Sequence, residues 1–138
     1  MKILDNSLKI AKQLFYSAVK SGDSQEQNIY AFIYDKNRLI SVGKNDMVKV
    51  NNKALKFGNR FNIDQFQKFP YIHAEVDAIS KLWGKRHICG KEKLVVVRFT
   101  KRGQIGVAKP CESCKLLLSA LSLQRIWWTG KDDWETNV

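Results

Sequence analysis

The stretch KLVVVRFTKRGQIGVAKPCESCKLLLSALSLQRIWWT, residues 93–129, decides the fold. Lys93 to Thr100 reads as a strand, and its Leu94-Val95-Val96-Val97 run is apolar on both faces, which predicts a central place in a sheet. Lys101-Arg102-Gly103 has turn chemistry, and Ile105 to Ala108 reads as a short strand or extension. Pro110 lacks an N–H and suits the opening of a helix, which runs from Cys111 to about Leu121. Arg125 to Thr129 then reads as another strand.

Working outward, a helix is expected from His73 through Ala74, Val76, Ala78, Ile79 and Leu82, ending at Gly84. Ile29 to Tyr34 and Leu39 to Val42 read as a hairpin around Asp35-Lys36-Asn37-Arg38. Leu4, Leu8, Ala11, Leu14, Phe15 and Ala18 recur at helical spacing, so residues 3–20 form an amphipathic helix ended by Ser21-Gly22-Asp23. The order α-β-β-α-β-α-β points to a single α/β domain over 1–138, a mixed sheet with helices on its faces. Residues 44–69 show no clear period. They carry Lys44, Lys49, Lys53, Lys56, Arg60 and Lys68 against Asp46 and Asp64, interleaved with Phe57, Phe61, Phe66 and Phe69. A segment this long without a clear element points to a functional role.

Composition narrows the function classes. At 138 residues, 44% hydrophobic and 11% aromatic, the chain can bury a core and is not disordered. No apolar run approaches the ~20 residues of a membrane span, and Met1 to Asn6 show no signal peptide, so a cytoplasmic protein is expected. Three cysteines suit reduced thiols or metal ligands. Lys and Arg number 24 against 13 acids, a net charge of +11, which favours polyanionic partners. Eighteen of those cations are Lys, which a plain solvated surface also explains.

Two short constellations each open a helix: His73-Ala74-Glu75 and Pro110-Cys111-Glu112-Ser113-Cys114. Cys111 and Cys114 can face one point beside a first helical turn, where the positive helix end favours thiolates. His73 supplies a nitrogen, giving three protein ligands for zinc and leaving a fourth position for water. Glu75 is near enough to shuttle protons without being a ligand. The alternatives are a redox Cys-x-x-Cys pair and a structural zinc completed by His87 or Cys89. Otherwise His87 and Cys89 read as a surface His and a free thiol, and Trp127-Trp128 as core packing.

The H-x-E and P-C-x-x-C motifs, 38 residues apart, resemble the zinc-dependent cytidine and deoxycytidylate deaminase superfamily. The resemblance covers most of the chain and implies a three-layer α-β-α fold with a mixed sheet of four to five strands. It implies one catalytic Zn2+ held by His73, Cys111 and Cys114, with Glu75 as general acid and base. It further implies that the Ala74 N–H holds the base's carbonyl and that Asn45 meets the substrate sugar. Three features depart from relatives. Gly43-Lys44-Asn45-Asp46 stands where deoxycytidylate deaminases often have Gly-Tyr-Asn. Thr100 to Lys109 separate strand and Pro-Cys, which tRNA adenosine deaminases join directly. Nine residues after Thr129 leave little room for a fifth strand and final helix. The sheet edge is then short or covered by a partner, and both monomer and homodimer remain open.

The expected reaction is conversion of cytosine to uracil, with single-stranded nucleic acid as the favoured carrier of the base. Lys44, Lys49, Arg60, Lys101 and Arg102 are the candidate phosphate contacts, and Phe57 and Tyr71 the candidate stacking residues. A nucleotide or nucleoside of pyrimidine salvage, adenosine in tRNA, and a non-enzymatic zinc-stabilised binding module are the competing readings.

Overall fold

The computed structural model describes the backbone of residues 1–138 and every side chain except those of residues 47–50. The elements are α1 (Lys2–Ser21), β1 (Gln27–Asp35), β2 (Arg38–Lys44), β3 (Asp46–Val50), α2 (Asn52–Phe61), α3 (Asp64–Lys68) and β4 (Tyr71–Ile72). They continue with α4 (Ala74–Leu82), β5 (Lys93–Thr100), β6 (Ile105–Gly106), α5 (Glu112–Ala120), β7 (Arg125–Thr129) and β8 (Trp134–Thr136). The main sheet runs β2-β1-β5-β7-β8, with β6 also paired to β5. β1 is antiparallel to both β2 and β5, whereas β5 and β7 are parallel and joined through α5.

The sheet divides the core in two. Residues alternate along β1 because successive side chains of a strand point to opposite faces. Ala31 and Ile33 join Leu94 and Val96 beneath α4 and α5, while Tyr30, Phe32 and Tyr34 join Val95, Val97 and Phe99 beneath α1. Leu94 to Val97 are fully buried, as a central strand covered on both faces should be. α1 buries Ile3, Leu4, Ala11, Phe15 and Ala18 along one stripe. It stops at Gly22, whose φ of 77° turns the chain so that the Gly22 and Asp23 N–H groups bond back to the Val19 and Ala18 carbonyls. The architecture is three-layer α-β-α.

α4 lies unusually close to the sheet, and Gly43 on β2 is the reason. A Cβ at Gly43 would stand 2.1 Å from the Ala74 carbonyl oxygen and 2.4 Å from the Ala78 nitrogen. The Ser41 hydroxyl donates to the Ala78 carbonyl at 2.7 Å, and the Lys44 N–H donates to the Asp77 carboxylate at 3.0 Å. At the far edge of β5, β7 pairs with residues 93–96 and β6 takes over at Arg98 and Phe99. Thr129 joins the two: its hydroxyl accepts from the Arg98 N–H at 3.2 Å and donates to the Gly106 carbonyl at 2.7 Å. The Ala108 N–H bonds to the Thr129 carbonyl at 2.8 Å, fixing the segment that leads to Pro110 and Cys111.

Two expectations change. The segment 44–69, which shows no clear period in the sequence, forms β3, α2 and α3. Asn51 caps α2 by accepting from the Lys53 N–H at 2.7 Å, and Ala54, Phe57 and Gly58 turn inward. The short tail after Thr129 also forms an element, since β8 pairs antiparallel with β7 and Trp128 donates its indole N–H to Glu135 at 2.9 Å. The sheet therefore has five strands along its path and the two-residue β6 beside them, where four to five were expected. Among the described residues no helix is long and apolar enough to cross a membrane.

Candidate active site

The two motifs open the two helices that lie side by side on one face of the sheet. His73 is the extended residue before α4, with φ −89° and ψ 151°, and Cys111 holds the same place before α5. Each side chain therefore sits at a helix start, where backbone N–H groups lack an intrahelical acceptor and the dipole is positive. Three residues into α5, Cys114 turns inward and is fully buried, while its N–H donates to the Cys111 sulfur at 3.4 Å. The His73 Nδ1 lies 3.7 Å from that sulfur. One donor atom from each of His73, Cys111 and Cys114 falls within 4.8 Å of the others. A tetrahedral zinc with Zn–S near 2.3 Å and Zn–N near 2.0 Å needs ligand atoms about 3.5–4 Å apart. The donor set and its spacing fit zinc.

The protons on this cluster are strongly displaced from their usual places. Hydrogen bonding from the Cys114 thiol, from His73 and from the Cys114 N–H outweighs burial and pulls the Cys111 thiol down to about 4. The same bond, with burial and the Glu75 charge, pushes Cys114 up. Burial alone would lower His73, but its bond to Cys111 and the nearby negative charges raise it. Glu75 is 5% exposed, and burial raises its carboxyl above the usual range despite bonds from its own N–H and from the Cys114 thiol. A metal entering here competes with protons held by His73 and Cys114. The ring of Phe66, from α3, lies 5.2 Å from the His73 ring and walls the imidazole.

A cavity of about 230 Å³ opens onto the cluster, lined by His73, Ala74, Glu75 and Cys111 together with Gln27, Ile29, Asn45, Arg98 and residues 107–109. Asn45, 2% exposed, is clamped to β1: its Oδ1 accepts from the Ile29 N–H and its Nδ2 donates to the Gln27 carbonyl, both at 3.0 Å. It thus shapes the wall as well as lining it. Sequence reasoning missed Gln27, Arg98 and Lys109. Arg98 carried a usable signal, a lone cation inside the apolar run of β5.

The candidate nucleic-acid contacts fare differently. None of the six described ones lines the cavity, and the side chain of Lys49 lies outside the described residues. Phe57 is corrected outright: it is 4% exposed and packs edge-on against Trp83, so no base can stack on it. Arg60 is displaced too. Its guanidinium lies over the Trp83 ring at 5.1 Å, in a larger concavity of about 560 Å³ beside Lys85, Arg86, His87 and Leu121. That concavity sits at the C-terminal ends of α4 and α5, whereas the His73–Cys111–Cys114 cluster sits at their N-terminal ends. Lys44 lies on the groove between α1 and β2, and Tyr71 is half-buried in β4. Lys101 and Arg102 are exposed on the turn after β5, with Lys101 3.2 Å from Glu26. His87 and Cys89 are exposed beyond the far end of α4 and join no metal cluster among the described residues.

No protein-family model matches the chain, and no curated protein sequence does. Solved structures do match. One is a mutant of cytidine deaminase from Mycobacterium tuberculosis, with a TM-score of 0.51 and 11% identity over 94% of this chain and 90% of that one. At that identity the likeness establishes architecture: the chain has a cytidine deaminase-like fold.

Proposed function

We propose that this protein is a zinc-dependent hydrolytic deaminase that converts cytosine to uracil. One observation carries the reading: His73, Cys111 and Cys114 converge at two helix starts, with Glu75 buried beside them and a cavity lined by His73, Glu75 and Cys111. Zinc bound there supplies Lewis acidity that turns water into a nucleophile near neutral pH. The reaction exchanges the C4 amino group for oxygen, so cytosine and water give uracil and ammonia. Glu75 moves the protons. Its carboxylate takes one from the water that attacks C4 and gives it to ring N3, then takes the second from the new C4 hydroxyl and gives it to the departing ammonia. A carboxyl held above its usual range by burial suits a group that must be both acid and base near neutrality. Ala74 opens α4, where N–H groups lack an intrahelical acceptor, and in this reading its N–H holds the base's carbonyl.

We take the base to be carried on single-stranded nucleic acid. The +11 charge and the exposed Lys101-Arg102 turn support that carrier. A free nucleotide is the second reading, favoured by the small cavity and by the burial of Phe57. The test uses zinc-loaded protein and Glu75→Gln on deoxycytidine, deoxycytidylate, single-stranded DNA, single-stranded RNA and tRNA, with products read by mass spectrometry. Uracil from polymer alone, falling steeply with added salt, supports the first carrier; uracil from the monomer alone supports the second. Inosine from tRNA overturns cytosine as the base. Glu75→Gln should keep zinc and lose at least about 100-fold in turnover. Full biological effect retained by that variant overturns the enzyme reading.

A further inference from the structure

β5 carries one charged residue in its apolar interior. Leu94 and Val96 face α4 and α5, and Arg98, two residues on, shares that face. Its side chain borders the cavity that holds Glu75 and the metal cluster. The fold makes room for it: the residue opposite on β6 is Gly106, and a Cβ there would stand 3.1 Å from the Arg98 Cδ and Nε. A guanidinium has five N–H donors. One goes to the Val107 carbonyl, from Nη1 at 3.2 Å, while the buried Nε has no partner among the described residues. No carboxylate among the described residues pairs with Arg98. Lys109 stands exposed on the same cavity and is likewise in no ion pair there.

An unpaired guanidinium nitrogen held out of water is costly unless something meets it. Glu75, the one acid among the residues lining the cavity, is engaged with its own N–H and the Cys114 thiol. The terminal guanidinium nitrogens carry N–H donors beyond the one given to Val107, and that planar fork, beside a second cation on a small cavity, matches a phosphate. We propose that Arg98 is the residue that recognises a phosphate of the substrate, with Lys109 adding charge at the rim. This rests on the deaminase reading of the same cavity and deepens it, because it makes the substrate a phosphorylated cytosine compound.

The experiment compares wild type, Arg98→Met and Arg98→Lys, each checked for zinc content and unfolding midpoint. Binding of deoxycytidine, deoxycytidylate and a short single-stranded oligonucleotide with one cytosine is measured by calorimetry in the Glu75→Gln background. Turnover of the same three is measured with Glu75 intact. Arg98→Met should cut the preference for phosphorylated ligand over deoxycytidine by about 10- to 100-fold, and Arg98→Lys by less. Loss confined to the oligonucleotide assigns the phosphate to a polymer, and loss on deoxycytidylate as well assigns it to the nucleotide unit itself. An unchanged preference, with all three ligands weakened alike or none, overturns the proposal and leaves Arg98 as a clamp on Val107. Should Arg98→Met not fold, the same ratio in Arg98→Lys decides. Absence of turnover on every ligand defeats the deaminase reading, while the binding ratio still decides Arg98.

Discussion

Gly43→Ala should damage both stability and chemistry, although Gly43 is not one of the His73, Cys111 and Cys114 cluster. The added Cβ would lie 2.1 Å from the Ala74 carbonyl oxygen, 2.4 Å from the Ala78 nitrogen and 2.9 Å from its Cα. All three are backbone atoms of α4, so no side-chain rotation relieves the clash, and the helix must retreat by about 1 Å or more to restore ordinary contact. Overpacking of that kind costs about 1–3 kcal/mol. Retreat also lengthens the Ser41 bond to Ala78 and the Lys44 bond to Asp77, each worth about 0.5–1.5 kcal/mol. A loss of about 2–4 kcal/mol in urea unfolding is therefore expected. His73 and Glu75 ride on the same helix start, and a 1 Å misplacement of catalytic groups costs about 100-fold in rate. Gly84→Ala is the control: its Cβ meets nothing within 4 Å, and only its φ of 81° is strained, at about 1–2 kcal/mol. A Gly43→Ala protein within about 0.5 kcal/mol of wild type and of equal activity would falsify the close-packing account of α4.

Cys114→Ser should lower zinc affinity at least about 10-fold and abolish turnover, and chelation of wild type should do the same reversibly, followed by zinc analysis and a thermal melt with and without added zinc. A melt that zinc raises equally in wild type and Cys114→Ser would count against that thiol as a ligand. Glu92 gives a pH prediction. Burial pushes its carboxyl up, but its own N–H, those of Cys89 and Gly90, and the Cys89 thiol together hold it below the usual carboxylate range. A group depressed on folding stabilises above its unfolded pKa, near 4.5, and that contribution disappears as pH falls through the lower folded value. Glu92→Gln should therefore be less stable than wild type at pH 7, with the gap closing on acidification below about pH 4.5. A gap that is constant with pH would show that the interaction does not depend on charge.

Much of this arrangement can be read from periodicity. α1, the β1–β2 hairpin, α4, β5, α5 and β7 each show a clean spacing or a recognisable start, and His73, Glu75, Cys111 and Cys114 come from two local motifs. α2 hid behind its composition. Asn52, Gly58 and Asn59 discourage a helix interior, yet Ala54, Phe57, Gly58 and Phe61 repeat at helical intervals, and that spacing was the signal that Phe57 packs inward. β8 was hidden by length, since three residues cannot display alternation. Thr129 became meaningful only when β6 displaced β7 along the edge of β5, a junction no single segment encodes.

The two faces of the sheet also differ in how freely they can drift. Beneath α1 the strands offer Tyr30, Phe32, Tyr34 and Phe99, broad rings whose exchange for another bulky apolar side chain repacking can absorb. Beneath α4 they offer Ala31 and Gly43, so the gap there is set by backbone against backbone. Under random mutagenesis the α1 layer should accept varied apolar residues, while Ala31 and Gly43 should stay nearly fixed. A laboratory lineage selected for activity would then record the depth of the sheet-to-helix gap in its substitution pattern, with no structure in hand.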